Sequence, residues 1–445
     1  MSAFSAGRRR LLLGLGSAAA ALAVPPLARG GPGPAEGAVS GAGGAGLTAA
    51  RELAAAGLRV TVLEARERIG GRAFTDSASI GTAWDRGASW LHASAVNPWV
   101  AYARSNGFEV QPDRWLRHYY DGSQRLSGAQ TADLRALEER MRAEIAAAGR
   151  RGLDVAAEHA LSQASRADRW FLLAAASLTA WEGVEPANFS ALDQFHFDAR
   201  GDDLVIPRGY GALLAHYARD LRVRTRTPVT RVRWTARGVQ LDTPGGSLSA
   251  RACVVAVPSA VVAQGGLVFS PGLPAETLQA HHDLPLGLMN KFGLRFRRNV
   301  FPGEATEVLR ARRADGRGLS YLTRPWGSNA CIAHAAGALA HELEAAGEAA
   351  AIDYALGELA GMLGGDLRRQ FDRGAATAWA ADPYSRGAYS HCVPGRFGAR
   401  ATLTRPVGPL VFAGEHTEQS AYGTLHGAHL SGRRAARQVV ELLRA

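Results

Sequence analysis

Of the 51 basic residues in this 445-residue chain, one alone is a lysine, Lys291, and the rest are arginines. Burial can drive a proton off an ammonium but not off a guanidinium, so a solitary lysine among arginines is a candidate for proton chemistry. Around it, Leu288–Phe296 carries apolar side chains at alternate positions, a strand pattern that puts Lys291 on the face of Arg295 and Arg297. A solvated strand face gives the same pattern, so both readings stand on the residues alone.

A second constellation begins at Gly41-Ala42-Gly43-Gly44-Ala45-Gly46, which opens an alanine-rich helix ending before Gly57. A strand, Leu58–Leu63, follows and closes on Glu64, 23 residues after Gly41. This spacing serves a dinucleotide. Gly41 makes the tight turn, Gly43 lets backbone approach the pyrophosphate, and Gly46 lets helix pack on strand. The helix start offers unpaired N–H groups to the phosphates, and Glu64 can accept from both ribose hydroxyls. Ahead of the loop, Gly37-Ala38-Val39-Ser40 lacks a run of branched apolar residues, so a stub of a first strand or an unusual N-terminus is expected.

The loop does not choose between NAD and FAD. Gly70-Gly71-Arg72 adds backbone N–H groups and a cation for a longer ligand. A late strand, Pro409–Ala413, runs into Gly414-Glu415-His416-Thr417, and a last helix starts near Thr424-Leu425-His426-Gly427. Aimed at a flavin, that helix start would stabilise the charge that reduction places on the N1–C2=O edge.

The elements that must position these residues alternate in style. Residues 38–64 and 204–258 mix short β-branched runs with glycine turns, including Arg222–Thr230, Gly238–Thr243 and Cys253–Val257. Residues 129–183 and 347–363 are helical, and 286–332 is strand-rich. With 47% apolar residues, the chain has enough core for two domains, each assembled from separate stretches. The net charge of +11 is spread over scattered arginines rather than one stripe, so no nucleic-acid partner is expected. Cys253, Cys331 and Cys392 are odd in number and far apart, which fits buried thiols and neither a metal site nor a disulfide framework. Arg8-Arg9-Arg10 precedes an apolar run of 14 residues, Leu11–Val24. That is short of the ~20 a membrane span needs. It resembles a twin-arginine export signal, so a periplasmic or secreted protein is expected, or a cytoplasmic one if the signal is not functional.

Further motifs extend the nucleotide loop: Asp85-Arg86-Gly87-Ala88-Ser89-Trp90-Leu91-His92, Ile206-Pro207-Arg208-Gly209-Tyr210, Thr227-Pro228-Val229, Leu288-Met289-Asn290-Lys291, the stretch Trp379–Tyr389, and Gly423–Ala428. With them the chain resembles the flavin-containing amine oxidases, in the branch of polyamine oxidases and lysine-specific histone demethylases. The resemblance implies an α/β fold: a Rossmann-like FAD-binding domain (35–110, 200–285 and 395–445) and a discontinuous α+β substrate-binding domain (111–199 and 286–394), after a signal and linker over 1–34. It implies FAD contacts at Gly41, Gly43, Gly46, Glu64, Arg66, Gly71, Arg72, Gly414, Glu415, Thr424 and Leu425. Val229 backbone would sit at the adenine, and Ala88, Ser89 and Trp90 along the isoalloxazine. The family's flavin-linking cysteine position is Ala388 here, so non-covalent FAD is implied.

Lys291 would hold a water against flavin N5, with Trp379 and Tyr389 as an aromatic wall for the amine. Thr424 stands where monoamine oxidases place a second tyrosine, and His92 is a candidate substrate contact. The implied reaction takes a small-molecule amine and O2 to an imine or aldehyde and H2O2, on secondary amines of polyamines or on aryl-alkyl amines. An L-amino-acid oxidase or tryptophan 2-monooxygenase is the alternative, although Gly87-Ala88-Ser89-Trp90 lacks the arginine that clamps a carboxylate in those enzymes. A non-catalytic flavoprotein is another. Arg208 and Ala93 depart from the family's glycines. By residue type alone Trp379 and Tyr389 read more often as core aromatics than as substrate walls, and His92 equally as a loop histidine. Glu182, Glu185, Asp198, Asp202 and Asp203 could draw a polycation or simply be solvated.

Overall fold

The computed structural model describes residues 35–312 and 317–444. The signal-like segment over residues 1–34 lies outside the described residues. Among the described residues, no helix is long and apolar enough to cross a membrane. No group of three His, Cys, Asp or Glu among them could hold a metal ion, and the three cysteines are buried free thiols.

Two sheets organise the chain. The first takes its strands in the order Val223–Arg224, Val60–Leu63, Ala35–Ser40, Gly246–Val255, Gly238–Thr243, Arg231–Thr235 and Val268–Ser270, with Leu410–Phe412 also paired to Gly246–Val255. Its centre is parallel: Ala35–Ser40 lies between Val60–Leu63 and the end of Gly246–Val255. The start of Gly246–Val255 instead continues an antiparallel meander through Gly238–Thr243 and Arg231–Thr235. Alternation sets the two faces. Val39, Val254 and Val411 join the core beneath the helices Gly44–Ala55 and Leu425–Arg444, while Ala38, Cys253, Val255, Leu410 and Phe412 build a second core on the opposite face.

The first strand corrects the expectation of a stub. Ala35–Ser40 is a full strand of six residues whose last four are buried. Small side chains suffice because neighbours fill the space: Leu53 and Val60 both lie 3.7 Å from where a Cβ on Gly37 would stand. The run expected over Arg222–Thr230 is shorter, reduced to Val223–Arg224, and Pro228, Val229 and Thr230 beyond it border the cavity described below.

The second sheet runs in the order Phe371–Ala376, Met289–Phe296, Ala330–Ala336, Ser320–Thr323, Glu307–Arg312, Leu116–Asp121 and Gln124–Arg125. One face packs Phe292, Leu294, Leu309 and Tyr321 against Leu343, Leu356 and Leu359 of the helices Gly337–Ala346 and Glu348–Leu363. A helical layer, chiefly Gly128–Arg150 and Phe171–Glu182, has its own core of Leu134, Leu137, Met141, Leu173 and Phe189. Ser127 and Gln130 close a capping box at the start of Gly128–Arg150, satisfying two otherwise unpaired N–H groups. Residues 84–91 thread between the sheets: Trp84 packs on Ile332 and Ala375 of the second, and Ala88 on the core of the first.

Candidate active site

A cavity of about 820 Å³ runs from the nucleotide loop, past residues 86–90, to the second sheet and the helix Phe171–Glu182. Its first end is backbone. A Cβ on Gly46 would stand 1.9 Å from the Gly41 carbonyl oxygen, so that turn and helix can meet only without one. A Cβ on Gly43 would meet nothing within 4 Å, because Gly43 borders the open cavity. Gly43 caps the helix without a side-chain bond, and the first turn holds no acidic residue, which leaves the helix's N–H groups and positive end for an anion. Glu64, 3% exposed, accepts from the N–H groups of Ala42 (2.7 Å) and Arg66 (2.8 Å) and borders the same space. These residues fit the adenosine and pyrophosphate of a dinucleotide, with Pro228 and Val229 on the wall nearby.

The middle of the cavity fits the longer ligand. Arg72 donates to the Ala388 carbonyl (2.6 Å) and to Glu415 (3.0 Å). Glu415 also accepts from Ser390 Oγ (2.6 Å) and the Gly423 N–H (2.8 Å). Burial pushes its pKa up, but Arg72, His416 and the Ser390 hydroxyl outweigh burial and hold it down at about 2. Arg66, implied as an FAD contact, spends its guanidinium on Asp382 (2.8 Å) and Ser385 (2.8 Å) at the cavity wall. Gly71, Ala88, Ser89, Trp90, Gly414, Thr424 and Leu425 all border the space. Thr424 Oγ1 donates to the Ala421 carbonyl (2.6 Å) and accepts from the Gly427 N–H (2.9 Å), so its hydroxyl serves as the cap of the last helix.

Lys291 closes the middle section. Of the two readings the strand pattern allowed, the solvated face is the wrong one, since Lys291 is 4% exposed. Nζ donates to the carbonyls of Asp85 (3.0 Å) and Gly87 (2.7 Å) and to Ser89 Oγ, and lies over the Trp90 ring at 5.3 Å. Burial pulls its pKa down to about 8, against the opposing field of Asp85. A guanidinium in this three-acceptor seat could not lose its charge.

Trp379 is 6% exposed and donates Nε1 to the Arg86 carbonyl (3.1 Å), and Tyr389 donates its hydroxyl to the Ala180 carbonyl (2.8 Å). Both polar ends are thus taken by backbone, and both residues border the cavity. His92 borders it too, 3.0 Å from Asp203 and edge-on to Trp181. Sequence reasoning missed three groups in line with Lys291 across the second sheet. His334 lies directly across the strand pair from it, held neutral by burial and by the lysine's charge, which lower its pKa to about 3. Ser320 and Arg310 continue from His334 across the sheet. Glu182, read from the sequence as solvated or as drawing a polycation, instead lies buried behind the wall, 2% exposed. Glu182 accepts from Tyr422 (3.0 Å) and Gln194 (3.3 Å), and burial, with Asp193 nearby, raises its pKa to about 7. Asp193 is locked to the fully buried Arg400 at 2.8 Å, a pair 207 residues apart in sequence. No local motif announces His334, Ser320, Arg310 or the Asp193–Arg400 pair.

Comparisons with known proteins give the family and the fold. The family described as flavin containing amine oxidoreductase matches residues 45–440. Polyamine oxidase 2 of Arabidopsis thaliana is 30% identical over 434 residues, covering 89% of this chain and 86% of the relative. Polyamine oxidase 4 of Oryza sativa subsp. japonica is 29% identical over 429 residues, covering 89% and 87%. A solved structure of a redesigned putrescine oxidase double mutant shares the fold, with a TM-score of 0.74 at 22% identity, covering 92% of this chain and 99% of that one. The chain belongs to the flavin-containing amine oxidoreductases, enzymes that bind FAD and oxidise amines with O2.

Proposed function

We propose that the amine sits between the aromatic wall of Trp379 and Tyr389 and the seat of Lys291, and is oxidised there at the carbon beside nitrogen. The observation that carries this reading is the seat itself: a buried ammonium on two carbonyls and a hydroxyl, opening onto the cavity that leads to the nucleotide loop. FAD held along residues 41–72 and 414–425 supplies the two-electron acceptor that O2 restores, releasing H2O2. The chain's residues orient and select. With their polar atoms tied to backbone, Trp379 and Tyr389 present ring surface that packs the amine's carbons, and the facing Lys291 ammonium repels a second cation, which favours the neutral amine over its ammonium form. The substrate must therefore shed its proton first, and the rate falls as pH drops below the amine's pKa. His334, held neutral beside Lys291, adds no second cation near the reacting carbon. Ala388 offers no thiol to link FAD, which supports non-covalent binding.

The test is the visible spectrum of the purified chain, followed by peroxide release with octylamine, benzylamine, spermine, leucine and tryptophan. A flavin spectrum and peroxide with amines are expected. A colourless protein without peroxide, or peroxide from the two amino acids alone, overturns the reading. We also assign the paired arginines and apolar run of residues 8–24 to export. Changing Arg8 and Arg9 to Lys then leaves the enzyme in the cytoplasmic fraction, and unchanged export contradicts the assignment.

A further inference from the structure

The second sheet lays one row of side chains along the cavity. Lys291 pairs with His334, His334 with Ser320, and Ser320 with Arg310, and all four border the cavity. At ~4.8 Å per strand, three steps separate Lys291 from Arg310 by about 14 Å. Arg310 donates Nη1 to Ser177 Oγ (2.7 Å), which donates in turn to Glu138 (2.6 Å), while the nearest Arg310–Glu138 approach is 3.9 Å. The Arg310 side chain is 27% exposed where it borders the cavity, and its one side-chain hydrogen bond among the described residues is the one to Ser177. A guanidinium has five N–H donors, and those left over toward a cavity can take a further acceptor from a ligand. The carboxylates on this side of the cavity are engaged by protein groups. Asp113 accepts from Trp90 Nε1 (3.0 Å) and Arg117 (3.1 Å), Glu185 from the Ala338 N–H (2.8 Å), and Asp203 lies 3.0 Å from His92. The far end of the cavity thus offers a cation with a free donor, where a diamine would have to place its second ammonium.

We infer that the substrate is an amine whose remote end carries an anion, a carboxylate in the simplest case, seated on Arg310. The inference rests on the proposed amine oxidation in the same cavity and names its substrate class. An eight-carbon chain, with the reach of the two side chains, spans the row. The experiment compares ω-aminooctanoate with α,ω-octanediamine as substrates, and titrates octanoate against the visible flavin spectrum. For the wild-type enzyme, kcat/KM favours ω-aminooctanoate by about tenfold or more, the worth of one charge-assisted contact. Arg310→Gln erases that ratio through KM and weakens octanoate binding by about tenfold or more. Arg310→Lys keeps part of both, because a point charge remains without the fork. A diamine oxidised as well as the amino acid by the wild type overturns the inference. So does an Arg310→Gln enzyme with unchanged ratio and octanoate affinity. If no amine is oxidised at all, the oxidase reading falls separately, while octanoate binding that depends on Arg310 still upholds the anion seat.

Discussion

The nucleotide end of the cavity is walled by backbone and glycine, from residues 40–46 and 64–72, whereas the amine end is walled by side chains that a sheet carries in from distant parts of the chain. At the first end the fit depends on what is missing. Gly46 admits no Cβ, and Gly43 leaves open the space that a phosphate needs. At the second end the fit depends on what is present: one lysine on three acceptors, a neutral histidine, and an arginine with a spare donor. A ligand common to many enzymes can be held by backbone, which every sequence possesses, while discrimination among amines needs particular side chains at particular places.

The contrast can be broken first at the nucleotide end. Gly46→Val forces a side chain into the Gly41 carbonyl and is expected to yield protein without flavin, destabilised by about 3 kcal/mol, read by visible absorbance and thermal melting. Full flavin occupancy would show that the loop relaxes, and that backbone fit is not what holds this end. Gly43→Ala is the finer version. Nothing in the protein obstructs the new methyl, so the apoprotein's melting temperature holds while FAD affinity falls about tenfold, since the phosphate can no longer approach. A drop in apoprotein stability with normal FAD affinity would reverse that assignment.

The amine end carries a pH signature. Glu182, behind Tyr422, has its pKa raised from 4.5 to about 7, so the folded state keeps a proton that the unfolded state gives up. Its contribution to stability is present in full below the unfolded value and is lost as pH rises through about 7. Melting temperature should therefore fall between mildly acid and mildly alkaline pH, and Glu182→Gln, neutral throughout, should flatten that fall. An unchanged profile would place the carboxyl outside this role. The smallest effect is expected at Thr424. Loss of the cap in Thr424→Ala costs ~1 kcal/mol, and Thr424→Ser restores it. A large loss of turnover in Thr424→Ala with no change in melting would return the hydroxyl to the chemistry.

What the sequence showed and what it hid follow the same division. The glycine loop, Glu64 and the last helix are legible because each function lies in one continuous stretch with fixed spacing. The helix Gly44–Ala55 and the start of Leu425–Arg444 fall where spacing placed them. The first strand is not legible in its own residues because its burial comes from Leu53, Val60 and two partner strands rather than from its own side chains. The row from Lys291 to Arg310 depends on register between strands whose order in space is not their order in sequence. Arg310 is one of fifty arginines and carries no local mark. Lys291 was conspicuous only by being rare, and alternation alone would have left it on a solvated face.

The central claim is that Lys291 acts on the chemistry rather than on flavin retention. It is tested most directly by rapid-mixing kinetics on Lys291→Met, following flavin reduction by amine and reoxidation by O2. The account predicts full flavin content with one of the two rates lowered on the order of a hundredfold, and a partial defect in Lys291→Arg, whose charge cannot be modulated. Wild-type rates in both variants, or loss of the flavin itself, would contradict it.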